Sequence, residues 1–210
     1  MTSQVISIAL SLGAHGEEIA RSVAEQLRFR YVNEEIIVGA AQKAGVSPQA
    51  MDQTEHSPTL VARVLKAMAG LAPAAAPTYW SAEASRPDPS LAYPSLIQEV
   101  IHETARQGSV VIAAHGASIH LAGTAGLLRV FVTASPMVRM QRLVSEAGID
   151  EQEAKKRIEY SDRERAAYLR KFSDIHQELP THYDLVLNTD LFTSLEASEL
   201  ITCAAAAMNS

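Results

Sequence analysis

The segment Gly13-Ala14-His15-Gly16-Glu17-Glu18 joins an apolar run to an amphipathic stretch. Small residues at such a junction let backbone N–H groups and the positive end of a helix surround an anion. The pattern that holds a nucleotide triphosphate this way, G-x-x-x-x-G-K-[ST], adds a lysine for the β/γ-phosphates and a hydroxyl for Mg²⁺. Neither is present here. With Ala9 to His15 as the small-residue stretch, Gly16 takes the lysine place and Glu17 the hydroxyl place. A carboxylate repels a phosphate by about 4 kcal/mol per unit-charge pair at roughly 4 Å and an effective dielectric of about 20. The segment therefore also reads as a tight turn that binds nothing.

The elements around this loop follow from apolar periodicity. Val5 to Leu10 is a buried strand, and Ile19, Val23 and Leu27 with Ala20 and Ala24 form one stripe of the helix after the loop. Phe29 to Val32 reads as a second strand, Glu34 to Ala44 as a helix closed by Gly45, and Ser47-Pro48 as the start of a further helical stretch. The pattern fails between Leu71 and Pro94, where Pro73, Pro77, Pro87, Pro89 and Pro94 fall among Ala and Ser. That composition predicts a loop or insertion, with Trp80 anchoring it or covering a site. Ser95 reads as the cap of a helix ended by Gly108, followed by a strand at Val110 to Ile112. Leu128 to Thr133 is the fourth strand, and Ser135-Pro136 opens a helix with Met137, Met140, Leu143 and Val144 inward. Asp150 caps the next helix, Asp184 to Asn188 is a fifth strand, and Thr193 and Glu196 have capping-box spacing before a last, alanine-rich helix.

Strands without polar alternation that alternate with amphipathic helices predict an α/β fold: a three-layer, five-stranded parallel sheet with helices on both faces. Ligands in such folds sit at the carboxyl ends of the strands, so the segments after the strands are the ones to search.

Among 210 residues the formal charge of −6 argues against binding nucleic acid or an anionic membrane through bulk charge. A small-molecule nucleotide is the favoured partner, with a protein partner or a homo-oligomer left open. Cys203 is the single cysteine, which excludes an internal disulfide and predicts a reducing compartment, the cytoplasm. No apolar run reaches the roughly 18 residues of a membrane span, and Val5 to Leu12 has no Lys or Arg ahead of it, as a signal peptide would.

Several passages together resemble the cytidylate kinase-like family, a branch of the P-loop nucleoside-monophosphate kinases. They are Ile8 to Ala20, Tyr31 to Ala41, Val110 to Ala117, Leu128 to Leu143, Asp150 to Phe172, and Tyr183 to Asp190. The resemblance implies a single P-loop kinase-like domain over 1–210, an Ala/Pro-rich insertion at 71–94 and a helical lid at 150–172. It implies ATP-dependent phosphoryl transfer to a nucleoside monophosphate or similar small acceptor, with ATP and Mg²⁺ as cofactors if the protein is active. It puts Gly13, Ala14, His15, Gly16, Glu17 and Glu18 at the cofactor and Tyr31, Asn33, Glu34 and His115 at the acceptor. Arg163, Arg165 and Arg170 match the lid arginines that cover phosphates, with Arg139 and Arg142 behind them. The alternative is a solvated basic face paired with Asp162 and Glu164.

Four polar positions depart from the family pattern. The family loop resembles S-R-x-x-G-S-G-G-R-E, so its arginines fall on Leu10 and Glu17 and a glycine falls on His15. Its Tyr-Tyr-Asp becomes Tyr31-Val32-Asn33, and its Gly-Arg-Gly becomes Ala114-His115-Gly116. In the family topology the first and third strands are neighbours, so His15 and His115 are candidates for a proton shuttle or a metal pair with Glu17 and Glu34. The plainer reading makes them hydrogen-bonded structural residues, and no metal site is assigned. The departures predict either an altered kinase or a catalytically degenerate kinase fold that serves as a binding or regulatory module.

Overall fold

The computed structural model describes residues 4–33, 36, 39, 89–113 and 116–208. The helices expected at Glu34 to Ala44 and from Ser47-Pro48, the loop around Trp80, and the candidates Glu34 and His115 lie outside the described residues or, for the first helix, almost entirely so. Contacts divide the chain into one unit of residues 1–33 and 102–210 and a second of residues 34–101.

The first unit holds five parallel strands: β1 (Val5–Leu10), β2 (Arg30–Val32), β3 (Val110–Ile112), β4 (Leu127–Thr133) and β5 (Leu185–Asn188). Their order is β2-β3-β1-β4-β5. β1 lies in the centre with Val5 beside both Val110 and Leu127. Val5, Ile6 and Ile8 are buried, which accounts for the strand's largely apolar sequence. Side chains of one sheet face, among them Ile6, Ile8, Val111, Val130 and Val132, pack against α1 (Gly16–Leu27) and the C-terminal helix. Ile19, Ala20, Val23 and Ala24 form the buried stripe of α1, and each large aliphatic side chain so buried contributes about 2 kcal/mol. On the other face, the Ser7 and Ser118 hydroxyls meet at 2.9 Å, joining β1 to the short helix α3 (Ala117–His120).

The helix α2 (Pro89–Arg106) begins before Ser95. Proline's fixed φ suits a first helical position, so Pro89 starts the helix that the proline-rich composition concealed. Within the second unit Ile97, Val100 and Ile101 are buried. The remaining helices start where their caps predict. Ser135 Oγ accepts from Val138 N at the start of α4 (Pro136–Ala147), and Asp150 from Glu153 N at the start of α5 (Glu151–Ser173). Thr193 and Glu196 form a reciprocal capping box on α6 (Ser194–Ala207). The inward face of α4 differs from the expected one: Met137 is 63% exposed, whereas Arg139 is only 5% exposed. Arg139 is held inward by partners on the loop after β1.

Candidate functional site

The loop after β1 turns tightly. Ala14 N bonds Ser11 O at 3.1 Å, and His15 enters α1 with φ 58°, without a side-chain cap on the first-turn N–H groups. Its carbonyls are taken by side chains from elsewhere in the sheet unit. Arg139 Nε donates to Leu12 O at 2.6 Å, Arg142 Nη1 to Gly13 O at 3.4 Å, and Thr189 Oγ1 to Ala14 O at 3.2 Å. Arg139 and Arg142 lie three residues apart and so share one face of α4. Arg139 also grips Asp162 with both Nη atoms, at 2.9 and 2.7 Å, and Arg142 reaches Thr189 O at 2.6 Å. The protein's own groups therefore hold the loop from its carbonyl side.

Gly13 and Gly16 are confined for different reasons. A Cβ at Gly13, where φ is +79°, would lie 2.8 Å from Arg139 O. Gly13→Ala is expected to cost about 2 kcal/mol through strain and overpacking, read as a lower midpoint in urea unfolding. A Cβ at Gly16 would lie 2.4 Å from Leu10 Cβ. Leu10 thus fills the space beside the place where a nucleotide-binding loop carries its lysine.

Glu17 and Glu18 are exposed in the first turn of α1 and supply negative charge at its positive end. Asn33, just past β2, donates from Nδ2 to Glu17 Oε1 at 3.0 Å. Both residues line a cavity of about 220 Å³ at the carboxyl ends of the strands, with Leu10, Gly116, Ser118 and Arg165. Tyr31 lies under the guanidinium of Arg21, 4.4 Å from the ring centre. His15 Nε2 contacts Glu146 Oε1 at 2.6 Å. Among the described residues no three His, Cys, Asp or Glu side chains gather as metal ligands.

Of the three arginines expected at a lid, Arg165 lines the cavity just described. Arg163 and Arg170 are exposed and line neither this cavity nor the next. Helical spacing explains the difference: positions 162, 165 and 169 share a face, while 163 and 170 project from another. Arg165 lines both the first cavity and a second of about 210 Å³ that includes Arg139 and Asp162. It donates to Glu178 through Nε at 2.8 Å and Nη2 at 2.6 Å, to the Tyr183 hydroxyl at 3.0 Å, and lies over the Phe131 ring. The Tyr183 hydroxyl in turn donates to Glu178 Oε1. Burial alone would raise the Glu178 pKa, but hydrogen bonding and the charge of Arg165 outweigh it and hold the carboxyl below its ordinary range. Glu178, Tyr183 and Phe131 were not candidates from sequence, because the ion pair joins α5 to a loop segment with no motif of its own.

Behind Gly116, His120 meets Tyr168 edge to face at 6.5 Å. Burial, and then the charge of His102, lowers the His120 pKa from 6.5 to about 4. An unfolded chain therefore binds a proton there that the folded chain refuses. His120's contribution to stability is full above pH 6.5 and declines as pH falls from 6.5 towards 4. Urea midpoints at about pH 7.5 and about pH 5 are expected to converge in His120→Gln relative to wild type.

A family model described as the cytidylate kinase-like family matches residues 5–191. The chain belongs to the cytidylate kinase-like family. A comparison with curated proteins by sequence finds no match. Among solved structures, an uncharacterized protein from Eubacterium ventriosum is similar over 98% of this chain and 99% of its own, at TM-score 0.70 and 14% identity. A Thermus thermophilus protein, TT1252, is similar over the whole of both chains at TM-score 0.55 and 14% identity. Shikimate kinase from Acinetobacter baumannii, in complex with shikimate, aligns over 98% and 94% of the two chains at TM-score 0.52 and 11% identity. At these identities the likeness establishes the fold, a P-loop kinase-like α/β architecture.

Members of a kinase-like family imply ATP and Mg²⁺. The residues of this cytidylate kinase-like chain do not fit that pair at the loop. Gly16 leaves the lysine place without a side chain, Leu10 and Glu17 stand where the family pattern has arginines, and the loop-facing arginines are engaged with carbonyls and Asp162. No helix among the described residues is long and apolar enough to cross a membrane.

Proposed function

We propose that this chain is a kinase-fold protein without phosphoryl-transfer chemistry, a binding or regulatory module on the cytidylate kinase-like scaffold. The replacement of two loop arginines of the family pattern by Leu10 and by Glu17, exposed in the first turn of α1, carries this reading. Transfer of a phosphoryl group relies on positive charge placed at the transferring oxygens. At the loop, the two arginine places of the family pattern hold an aliphatic side chain, Leu10, and a carboxylate, Glu17. The whole chain then acts as a single kinase-like domain with α5 as a lid and an insertion at 71–94. A cytoplasmic location agrees with the lone Cys203.

Family membership favours the other reading, ATP-dependent transfer to a nucleoside monophosphate. In that case Gly13 to Glu18 face the cofactor, Tyr31, Asn33, Glu34 and His115 the acceptor, and Arg163, Arg165 and Arg170 the phosphates. Arg165 is the lid residue best placed to do so. Incubation with γ-labelled MgATP and each nucleoside monophosphate separates the two. The proposal expects no labelled diphosphate above a protein-free control. Transfer that depends on Arg165 would replace it with the kinase reading.

A further inference from the structure

Building on the reading of a catalytically silent kinase fold, we propose that the cavity at the ends of β1 and β3 binds a small zwitterionic amine. Its ammonium group sits on Glu17 and Asn33, and its acid group faces Arg165. Asn33 Nδ2 donates to Glu17 Oε1. A carboxylate only accepts hydrogen bonds, so this contact fixes which end of the amide faces Glu17 and leaves Asn33 Oδ1 as an acceptor. Glu17 Oε2 and Asn33 Oδ1 have no protein donor among the described residues. Both side chains line the cavity. Two neighbouring acceptors that share one negative charge match an ammonium, which has three donors and no acceptor. A phosphate oxygen would meet the same two acceptors with none of its own needs satisfied.

Another lining residue supplies the complementary group. Arg165 gives Nε and Nη2 to Glu178 and Tyr183, while its Nη1 makes no hydrogen bond among the described residues. Glu178 shares the guanidinium charge but does not use Nη1, so Glu17 offers an acceptor end and Arg165 a donor end. That balance admits a molecule neutral overall, with a positive end and an acid end, and disfavours a phosphate monoester dianion. A volume of about 220 Å³ lies under the usual range of roughly 300–1,000 Å³ for drug-sized ligands. It suits a molecule of amino-acid size and is small for a nucleotide.

Calorimetric titration of the full chain with the twenty protein amino acids, glycine betaine, inorganic phosphate and CMP tests the assignment. At least one primary amino acid is expected to bind, and Glu17→Gln and Asn33→Leu, both at the cavity rim, are expected to weaken it about tenfold or more. Glycine betaine, whose quaternary nitrogen has no N–H, and phosphate are expected not to bind. Three results would each overturn the proposal: no amino acid giving saturable heat, amino-acid binding unchanged in Glu17→Gln, or CMP displacing the bound amino acid. The γ-labelled ATP assay on the same preparation keeps the two ideas apart. Absent amine binding with absent transfer removes the ligand assignment alone, whereas phosphoryl transfer removes the silent-fold reading.

Discussion

Gly16→Lys, the substitution that returns a lysine to the loop, is expected to destabilise the protein by about 3 kcal/mol without creating a nucleotide site. The new Cβ would begin 2.4 Å from Leu10 Cβ. That atom is attached directly to the β1 backbone, so rotation of the leucine side chain cannot relieve the overlap; the central strand or the first turn of α1 must move. β1 is hydrogen-bonded to strands on both sides and packs its interior to native density, which makes such movement costly. Leu10→Ala keeps the offending Cβ and is expected to rescue little, whereas Leu10→Gly is expected to recover part of the loss. Glu17→Arg provides the contrast. Its side chain is exposed, so stability should change by no more than about 0.5 kcal/mol. Chemical denaturation of the four variants checks the order. A Gly16→Lys protein as stable as wild type would show that the contact is not a barrier.

Arg139→Ala is expected to cost about 3 kcal/mol and to loosen the loop. The wild-type guanidinium is buried and joins three elements, through Leu12 O after β1, its own helix α4, and Asp162 on α5. Truncation leaves a loop carbonyl without its donor and empties a space that alanine cannot fill. Asp162 is about half exposed and can regain water, which keeps the loss below that of a fully buried pair. Amide hydrogen exchange distinguishes a local from a global effect: protection is expected to fall first around residues 11–16 and at the start of α1. Arg139→Lys should recover only part of the stability, because an ammonium cannot bind Asp162 in the two-pronged way while also reaching Leu12. Unchanged exchange in the loop would mean that it holds itself without α4.

Much of the fold is legible in local sequence chemistry. Val5 to Leu10 lacks polar alternation because neighbours flank it on both edges and both its faces are covered. Ser135, Asp150 and Thr193 each accept the backbone N–H that their spacing predicts. The start of α2 was hidden because Pro89 and Pro94 punctuate a segment whose composition is that of a loop. The site is less legible, since its decisive contacts join distant parts of the chain. Leu10 and Glu17 are visible as departures from a family pattern, but only the fold reveals that Leu10 Cβ excludes a side chain on Gly16. Arg139 and Arg142 read as reserves of positive charge for a ligand; in three dimensions they hold the loop's carbonyls. Arg163, Arg165 and Arg170 look equivalent as a basic cluster, and helix geometry admits one of them. The Arg165 and Glu178 pair is 13 residues apart in sequence, beyond any helical spacing rule.

Calorimetric titration of the wild-type chain with MgATP tests the central claim most directly. With Leu10 and Glu17 in the loop's two arginine places, no saturable heat is expected up to about 1 mM nucleotide. Saturable binding below that concentration, with the thermal stabilisation that such binding produces, would contradict the claim and restore this chain to the working kinases.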